Sequence, residues 1–332
     1  MRYALYFLQF DTSVHFGCAE NGGMLEQSSI TYRADTLFSA LCYELALAGD
    51  TAGLDWLHTA AEVGTLAFSD LLPYEMNQDG MCLYLPKPTY AVRRQMEDII
   101  DAKQIADDRK KMKKLKKMLY VRVSEITDFV KAVRTGERRE WKLPNLGEGK
   151  LSVRVNRLEE IPRPYYVHDF TFVPHAGLYG IIGYEDADKA KRLMKSIEYL
   201  GLSGIGGKRS SGYGKFHFRC EPVRLDENSK GDMAKLYKLL SASDTSVYMS
   251  LSCLLPQEAE LDIVKGGQYS LCRRSGFLSP DGRGPAKKSD VYMLEAGACL
   301  SRKISGSIAD LGGNAAHPVW RYGKGLFAGV AL

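Results

Sequence analysis

Residues 201–216, GLSGIGGKRSSGYGKF, place six glycines and three cations in sixteen positions, a combination suited to holding an anion. Glycine backbone turns where side chains clash and brings bare amides close to phosphate oxygens, while Lys208 and Arg209 supply charged donors. Gly206 and Gly207 are therefore read as amide donors, and Ser210 and Ser211 as hydroxyl donors to a sugar–phosphate backbone. Tyr213 reads equally as a stacking surface or as core. Two familiar phosphate loops fail on spacing. Gly207-Lys208 is followed by Arg209, and Leu202 stands where G-x-x-x-x-G-K-[ST] needs its first glycine. A dinucleotide pattern begun at Gly204 puts Arg209 on its third glycine, and the loop leads into a strand, not a helix.

The segment GGNAAHPVWRYGKGLFAGV, residues 312–330, repeats the glycine–cation–aromatic mixture. Here Arg321 and Lys324 are candidate phosphate partners, Trp320 or Tyr322 a stacking surface for a base, and His317 a further candidate RNA contact. Residues 150–157, KLSVRVNR, alternate like a strand: Leu151, Val153 and Val155 fall on one side, leaving Arg154 and Asn156 on the other. Lys150, Arg154, Asn156 and Arg157 are candidate RNA contacts on that arm, and Arg33 is a further one near the N-terminus. His15 is a candidate RNA contact, with a structural donor and a general acid or base as the other readings, and spacing assigns it no partner. His168, His175 and His217 lack the cysteine or carboxylate spacing of a metal site. The seven cysteines are scattered without a C-x-x-C pair, which argues for reduced thiols and against zinc. Neither a metal nor a cofactor is expected.

The elements that would position these groups follow from periodicity. Residues 2–10 read as a strand. Residues 35–48 read as a helix with Asp35 as N-cap and Leu37, Leu41 and Leu45 on one face. Strands are expected at 66–74 and 178–184, a helix at 186–200 with Gly201 as C-cap, and a strand at 214–223. The order β-α-β-β-α-β is the ferredoxin-like, or RNA-recognition-motif-like, arrangement. A long insertion, about residues 76–165, interrupts it and contains a helix after Ser124. A second unit follows a helix at 233–240 and a strand at 247–255. The predicted class is α+β with two ferredoxin-like domains: 1–75 with 166–226, the insertion 76–165, and 227–332.

The chain has 332 residues, 45% of them hydrophobic and 26% charged, a profile that fits cored domains and excludes disorder. The N-terminal MRYALYFLQFD lacks a cleavage site and no segment reaches the length of a membrane span, so a cytoplasmic location without membrane contact is expected. The net charge is +5, and the run RKKMKKLKK at 109–117 alone carries seven cations. That run is either a solvated helix face or a contact for a polyanion or an acidic protein.

The glycine loop G-I-G-G-K-R-S-S-G-Y-G-K-F resembles the hallmark of the RAMP superfamily of CRISPR-associated proteins. Three further stretches narrow the resemblance: His15-Phe16-Gly17, Asp35-Thr36-Leu37-Phe38-Ser39-Ala40-Leu41, and His317-Pro318-Val319-Trp320-Arg321-Tyr322-Gly323-Lys324. Together they are similar to the fourth-subunit family of the type III-A (Csm) effector complex. The resemblance implies a non-catalytic subunit that binds the 5′ repeat-derived tag of the CRISPR RNA and lies near target RNA at the tag boundary. It implies as partners a large polymerase-and-nuclease subunit and a backbone subunit, and it implies that the insertion carries a β-hairpin thumb. Two other functions compete: a metal-independent endoribonuclease cutting repeat RNA, supported by the fold and His15, and a small-molecule nucleotide enzyme, opposed by the failed motifs.

Overall fold

The computed structural model describes residues 1–17, 25–78, 80–89, 113–115, 117–135, 137, 139–156, 162–277, 287–313 and 317–330. Among them the chain runs β1 (Arg2–Phe10), β2 (Phe16–Gly17), β3 (Ser28–Ser29), α1 (Ala34–Leu47), α2 (Thr51–Glu62), β4 (Leu66–Phe68), β5 (Leu72–Asn77), β6 (Gly80–Pro86) and β7 (Tyr120–Arg122). Next come α3 (Ile126–Thr135), β8 (Gly147–Asn156), β9 (Arg163–Phe172), β10 (Ala176–Tyr184), α4 (Ala187–Ser203), β11 (Phe216–Phe218) and β12 (Val223–Leu225). The C-terminal part holds α5 (Gly231–Ser241), β13 (Tyr248–Ser250), α6 (Leu261–Lys265), β14 (Leu271–Arg274), β15 (Val291–Leu294), β16 (Cys299–Leu300), β17 (Gly306–Asp310), β18 (Trp320–Lys324) and β19 (Phe327–Gly329).

The architecture is mixed α and β with antiparallel sheets. The main sheet has the order β11-β1-β10-β5-β6-β7, with β12 also on β1 and β4 also on β10. Its central strand β10, AGLYGIIGY, is buried at every position, because both faces of the sheet are covered. Ala4, Tyr6, Leu8, Leu178 and Ile182 meet Leu37, Phe38 and Leu41 of α1 and Leu193 and Ile197 of α4. On the opposite face Leu5, Phe7, Tyr179 and Ile181 meet Phe129 of α3, Leu236 and Leu239 of α5, and Met249, Ala328 and Val330 near the C-terminus. One core therefore joins the first strand to the last residues. In the C-terminal part β16-β13-β19 form a three-stranded sheet, flanked by the pairs β14-β15 and β17-β18.

Several expected boundaries move for local reasons. The strand expected at 66–74 breaks into β4 and β5, because Ser69 bonds Ile181 through both its amide and its hydroxyl while Asp70 turns under α1. Arg33, not Asp35, occupies the N-cap position of α1, and it caps without its side chain. The Ala34 amide donates instead to Asp70 Oδ1 at 2.8 Å, and Asp35 lies inside the first turn. Gly201 is likewise not a C-cap. The helix α4 continues to Ser203 and ends at Gly204 with φ +78, while a Cβ on Gly201 would stand 2.2 Å from the Phe216 carbonyl oxygen. The strand expected at 214–223 is split into β11 and β12, both paired with β1. Residues 80–86 and 120–122, expected within the insertion, extend the main sheet as β6 and β7. Of the basic run, Lys113, Lys114, Leu115 and Lys117 are described; the others lie outside the described residues.

Candidate RNA-binding face

The glycine loop is shaped by close approach to the segment after β1. Ile205 is buried and its amide donates to the Gly214 carbonyl at 3.0 Å, while the Gly214 amide donates to Ser13 at 2.9 Å. A Cβ on Gly214, at φ +75, would stand 2.0 Å from the Ile205 carbonyl oxygen, and one on Gly206, at φ +90, would stand 2.6 Å from that of His15. Only glycine fits such contacts. The two glycines expected to cradle phosphate face the protein: Gly207 N–H donates to the His15 carbonyl at 2.8 Å, and Gly206 lies against the His15 carbonyl and the Phe16 ring. The expected role of Gly206 and Gly207 is thus corrected from anion donors to packing against residues 13–16.

What remains exposed is the loop's outer rim. Arg209, Ser210 and Ser211 are exposed in a single 3-10 turn. Lys208, half-buried, adopts φ +60 and is the one non-glycine residue with positive φ among the described residues. Its ammonium lies over the Tyr165 ring at 4.9 Å, and the Arg209 guanidinium lies over Tyr43 at 5.7 Å. These contacts leave each cation on the surface while fixing its direction.

The expected hairpin exists. β8 and β9 pair over ten residues, with Lys150 opposite Asp169, Ser152 opposite Val167 and Arg154 opposite Tyr165. Opposed residues of an antiparallel pair share a face, and this face meets the glycine loop. Tyr213 Oη donates to Asp169 Oδ2 at 3.2 Å and accepts from Arg154 Nη2 at 3.1 Å. Tyr213 is therefore a hydroxyl bridge between loop and hairpin. The opposite face carries Leu151, Val153, Val155 and Tyr166, 55%, 58%, 50% and 47% exposed. Asn156 lies in β8 opposite Arg163; Arg157 lies outside the described residues.

The remaining expected contacts turn inward. His15 is buried, with Nδ1 donating to the His168 carbonyl at 2.7 Å. Arg33 donates to Cys253 Sγ at 2.8 Å and to Glu295 Oε1 at 2.9 Å. Residues 320–324 form not a loop but the strand β18, paired along its length with β17 and packed on α1. Arg321 is buried against Asp35, whose carboxyl is held far below the usual carboxylate range: burial alone would raise it, but the Arg274 and Arg321 guanidiniums prevail. Tyr322 is fully buried beside Phe38 and Phe68 and accepts the Phe68 amide. Lys324 is buried, with Nζ on the carbonyls of Glu62 at 2.8 Å and Gly306 at 3.1 Å. Trp320 stacks on His58 at 4.0 Å. His317 is exposed, its Nδ1 near the adjacent Pro318 carbonyl.

The surface therefore collects Lys208, Arg209, Ser210, Ser211, Lys150 and Arg154 with the rings of Tyr43, Tyr165 and Tyr213. Cations interleaved with aromatics suit a single-stranded polyanion whose bases are unstacked. Sequence reasoning missed Tyr43 and Tyr165. The signal for Tyr165 lay in its own strand, since Pro164-Tyr165-Tyr166 follows a hairpin arm of matching alternation.

Comparison with known proteins places the chain. Residues 243–330 match the CRISPR Csm4 C-terminal domain. A Mycobacterium tuberculosis protein named CRISPR system Cms protein Csm4 is 31% identical over 337 residues, spanning 98% of this chain and 97% of that protein. A Streptococcus thermophilus protein of the same name is 29% identical over 331 residues, with 98% of both chains covered. Among solved structures, a chain of the Csm3–Csm4 subcomplex of the type III-A CRISPR-Cas interference complex superposes with a TM-score of 0.61 at 18% identity, covering 99% of each chain. A chain of the Csm1–Csm4 cassette in complex with cA4 gives 0.60 at 18% identity over 100% of this chain and 99% of that one. With near-complete coverage at 31% identity, and a fold shared with chains of the Csm3–Csm4 and Csm1–Csm4 assemblies, the chain belongs to the Csm4 family of CRISPR proteins.

Proposed function

We propose that this chain is a non-catalytic guide-binding subunit of a type III-A Csm complex in antiviral defence, holding the 5′ repeat-derived tag of the CRISPR RNA. The observation that carries the reading is the surface where Lys208, Arg209 and Arg154 stand over or beside Tyr165, Tyr43 and Tyr213. Phosphates of a single strand would meet the cations and the loop serines, and its bases the rings. The β8–β9 hairpin acts as the thumb. Its bare apolar face of Leu151, Val153, Val155 and Tyr166 suits insertion beside a displaced nucleotide at the boundary of tag and target RNA. The order β11-β1-β10-β5 supports reading residues 1–75 with 166–226 as a ferredoxin-like unit. Residues 227–332 are proposed as a second, β-rich one. By analogy with the named Csm3–Csm4 and Csm1–Csm4 assemblies, the chain would join a large subunit to a backbone subunit in the cytoplasm. Among the described residues no helix is long and apolar enough to cross a membrane.

The test reconstitutes the complex with labelled guide RNA and measures retention of the tag as its sequence and length vary. Tight retention of uncut tag RNA that is lost on truncating the tag supports the reading. Equal retention of tagless RNA, or cleavage of repeat RNA by the chain itself, overturns it.

A further inference from the structure

We propose that Cys253 and Cys272 form a thiol pair that a hydroperoxide converts into a reversible disulfide, with Arg33 activating it. Their Sγ atoms lie 3.9 Å apart, both fully buried in a small cluster with Met293. Arg33 Nη1 donates to Cys253 Sγ at 2.8 Å and to Cys272 Sγ at 3.6 Å. A guanidinium against sulfur favours the thiolate, the reactive form.

The surrounding charges favour it as well. Arg33 pairs with Glu295, while Arg274 and Arg321 share the Asp35 carboxylate. The third nearby acid, Asp70, is buried and opposes ionisation of Cys253, which leaves Cys272 as the sulfur favoured to carry the charge. The Cys272 thiol is lowered, first by the hydrogen bond from Cys253 and then by Arg33 and Arg274, and the Cys253 thiol is raised. The hydrogen bond from Cys253 thus favours the thiolate form on Cys272. Both sulfurs are fully buried, so a small oxidant reaches them on local opening beside the Arg33 side chain, which is 27% exposed.

The chemistry balances. The Cys272 thiolate attacks the O–O bond, forming a sulfenic acid and releasing hydroxide from hydrogen peroxide. The Cys253 sulfur then attacks the sulfenic sulfur; the S–S bond forms, the S–O bond breaks, and the departing hydroxide takes the Cys253 proton as water. Two electrons pass from the sulfurs to the peroxide oxygens. Closure from 3.9 Å to a bond of about 2.05 Å requires movement of the side chains. The product ties the segment after β13 to β14, enclosing α6, and removes the sulfur acceptor from Arg33. Reversible intracellular disulfides of this kind are redox-responsive.

The experiment treats the full chain with hydrogen peroxide in reductant-free buffer, alkylates remaining thiols with N-ethylmaleimide, and maps peptides by mass while circular dichroism follows folding. The expected product is a peptide pair linked through Cys253 and Cys272, two hydrogens lighter and released by dithiothreitol. Arg33→Gln should slow its formation about tenfold. Cys253→Ser should leave Cys272 as a sulfenic acid that dimedone labels. The proposal is overturned if both thiols remain alkylatable, if the link involves the exposed Cys220, or if linking appears only after the chain has unfolded.

Discussion

Asp35 and Arg321 stand 286 positions apart, yet Arg321 Nη1 donates to Asp35 Oδ2 at 2.5 Å inside the protein. Arg274 holds the same carboxylate through two bonds, at 2.9 and 3.0 Å. This triad fixes the C-terminal hairpins to the start of α1. Neutralising Asp35 leaves two guanidiniums buried beside one another, a loss on the order of 3–5 kcal/mol. Asp35→Asn should therefore lower the urea midpoint markedly, whereas an unchanged midpoint would show the triad to be dispensable.

The outer rim of the glycine loop should affect RNA binding and not folding. Lys208→Gly removes a charge and also relieves a left-handed backbone, worth about 1 kcal/mol. The double variant Lys208→Gly/Arg209→Ala should melt no lower than wild type. Its affinity for tag RNA should fall, and the slope of log affinity against log salt should flatten by about 1.4, near 0.7 per lost phosphate contact. Undiminished affinity in anisotropy titrations would move the RNA elsewhere.

By contrast, Gly214→Ala should damage the loop itself. A methyl group there would meet the Ile205 carbonyl oxygen at φ +75, costing at least ~2 kcal/mol. Calorimetry should show a lower melting temperature, accompanied by weakened tag binding. Full stability would mean that the backbone relaxes around the added carbon.

How far the sequence revealed this arrangement depends on what each residue type is asked to do. The strand β1, the helices α1 and α4 and the hairpin arm at 150–156 announced themselves through periodicity, because each buries or exposes alternate faces. The second cation-rich segment misled. Arg321, Tyr322 and Lys324 look like a nucleic-acid loop in one dimension, but their partners Asp35, Phe68 and Glu62 come from remote positions. Asp35 itself reads as a helix cap until Asp70 is seen to occupy that role. Pairings across long separations leave no local pattern, so charge composition alone does not separate a phosphate ligand from a buried counterion.

Asp70 makes stability depend on pH in an unusual direction. Burial raises its carboxyl to about 6, above the unfolded value of about 3.9. A raised folded value means that its contribution is complete below pH ~4 and is lost as pH rises through about 6. Asp70→Asn keeps an oxygen for the Ala34 and Cys253 amides and cannot ionise. The melting temperature of the variant minus that of wild type should grow between pH 4.5 and 7. A constant difference would show that Asp70 does not titrate in this window.

The position of β1 sets the timing of folding on the ribosome. Residues 2–10 are made long before their neighbours, since the strand pairs with residues 178–184 on one edge and with residues 216–218 and 223–225 on the other. At translation speeds of about 5–20 residues per second, this apolar strand waits on the order of ten seconds or more for its first neighbour. During that interval its hydrogen-bonding edges are open to other chains, the condition under which unpaired apolar strands aggregate.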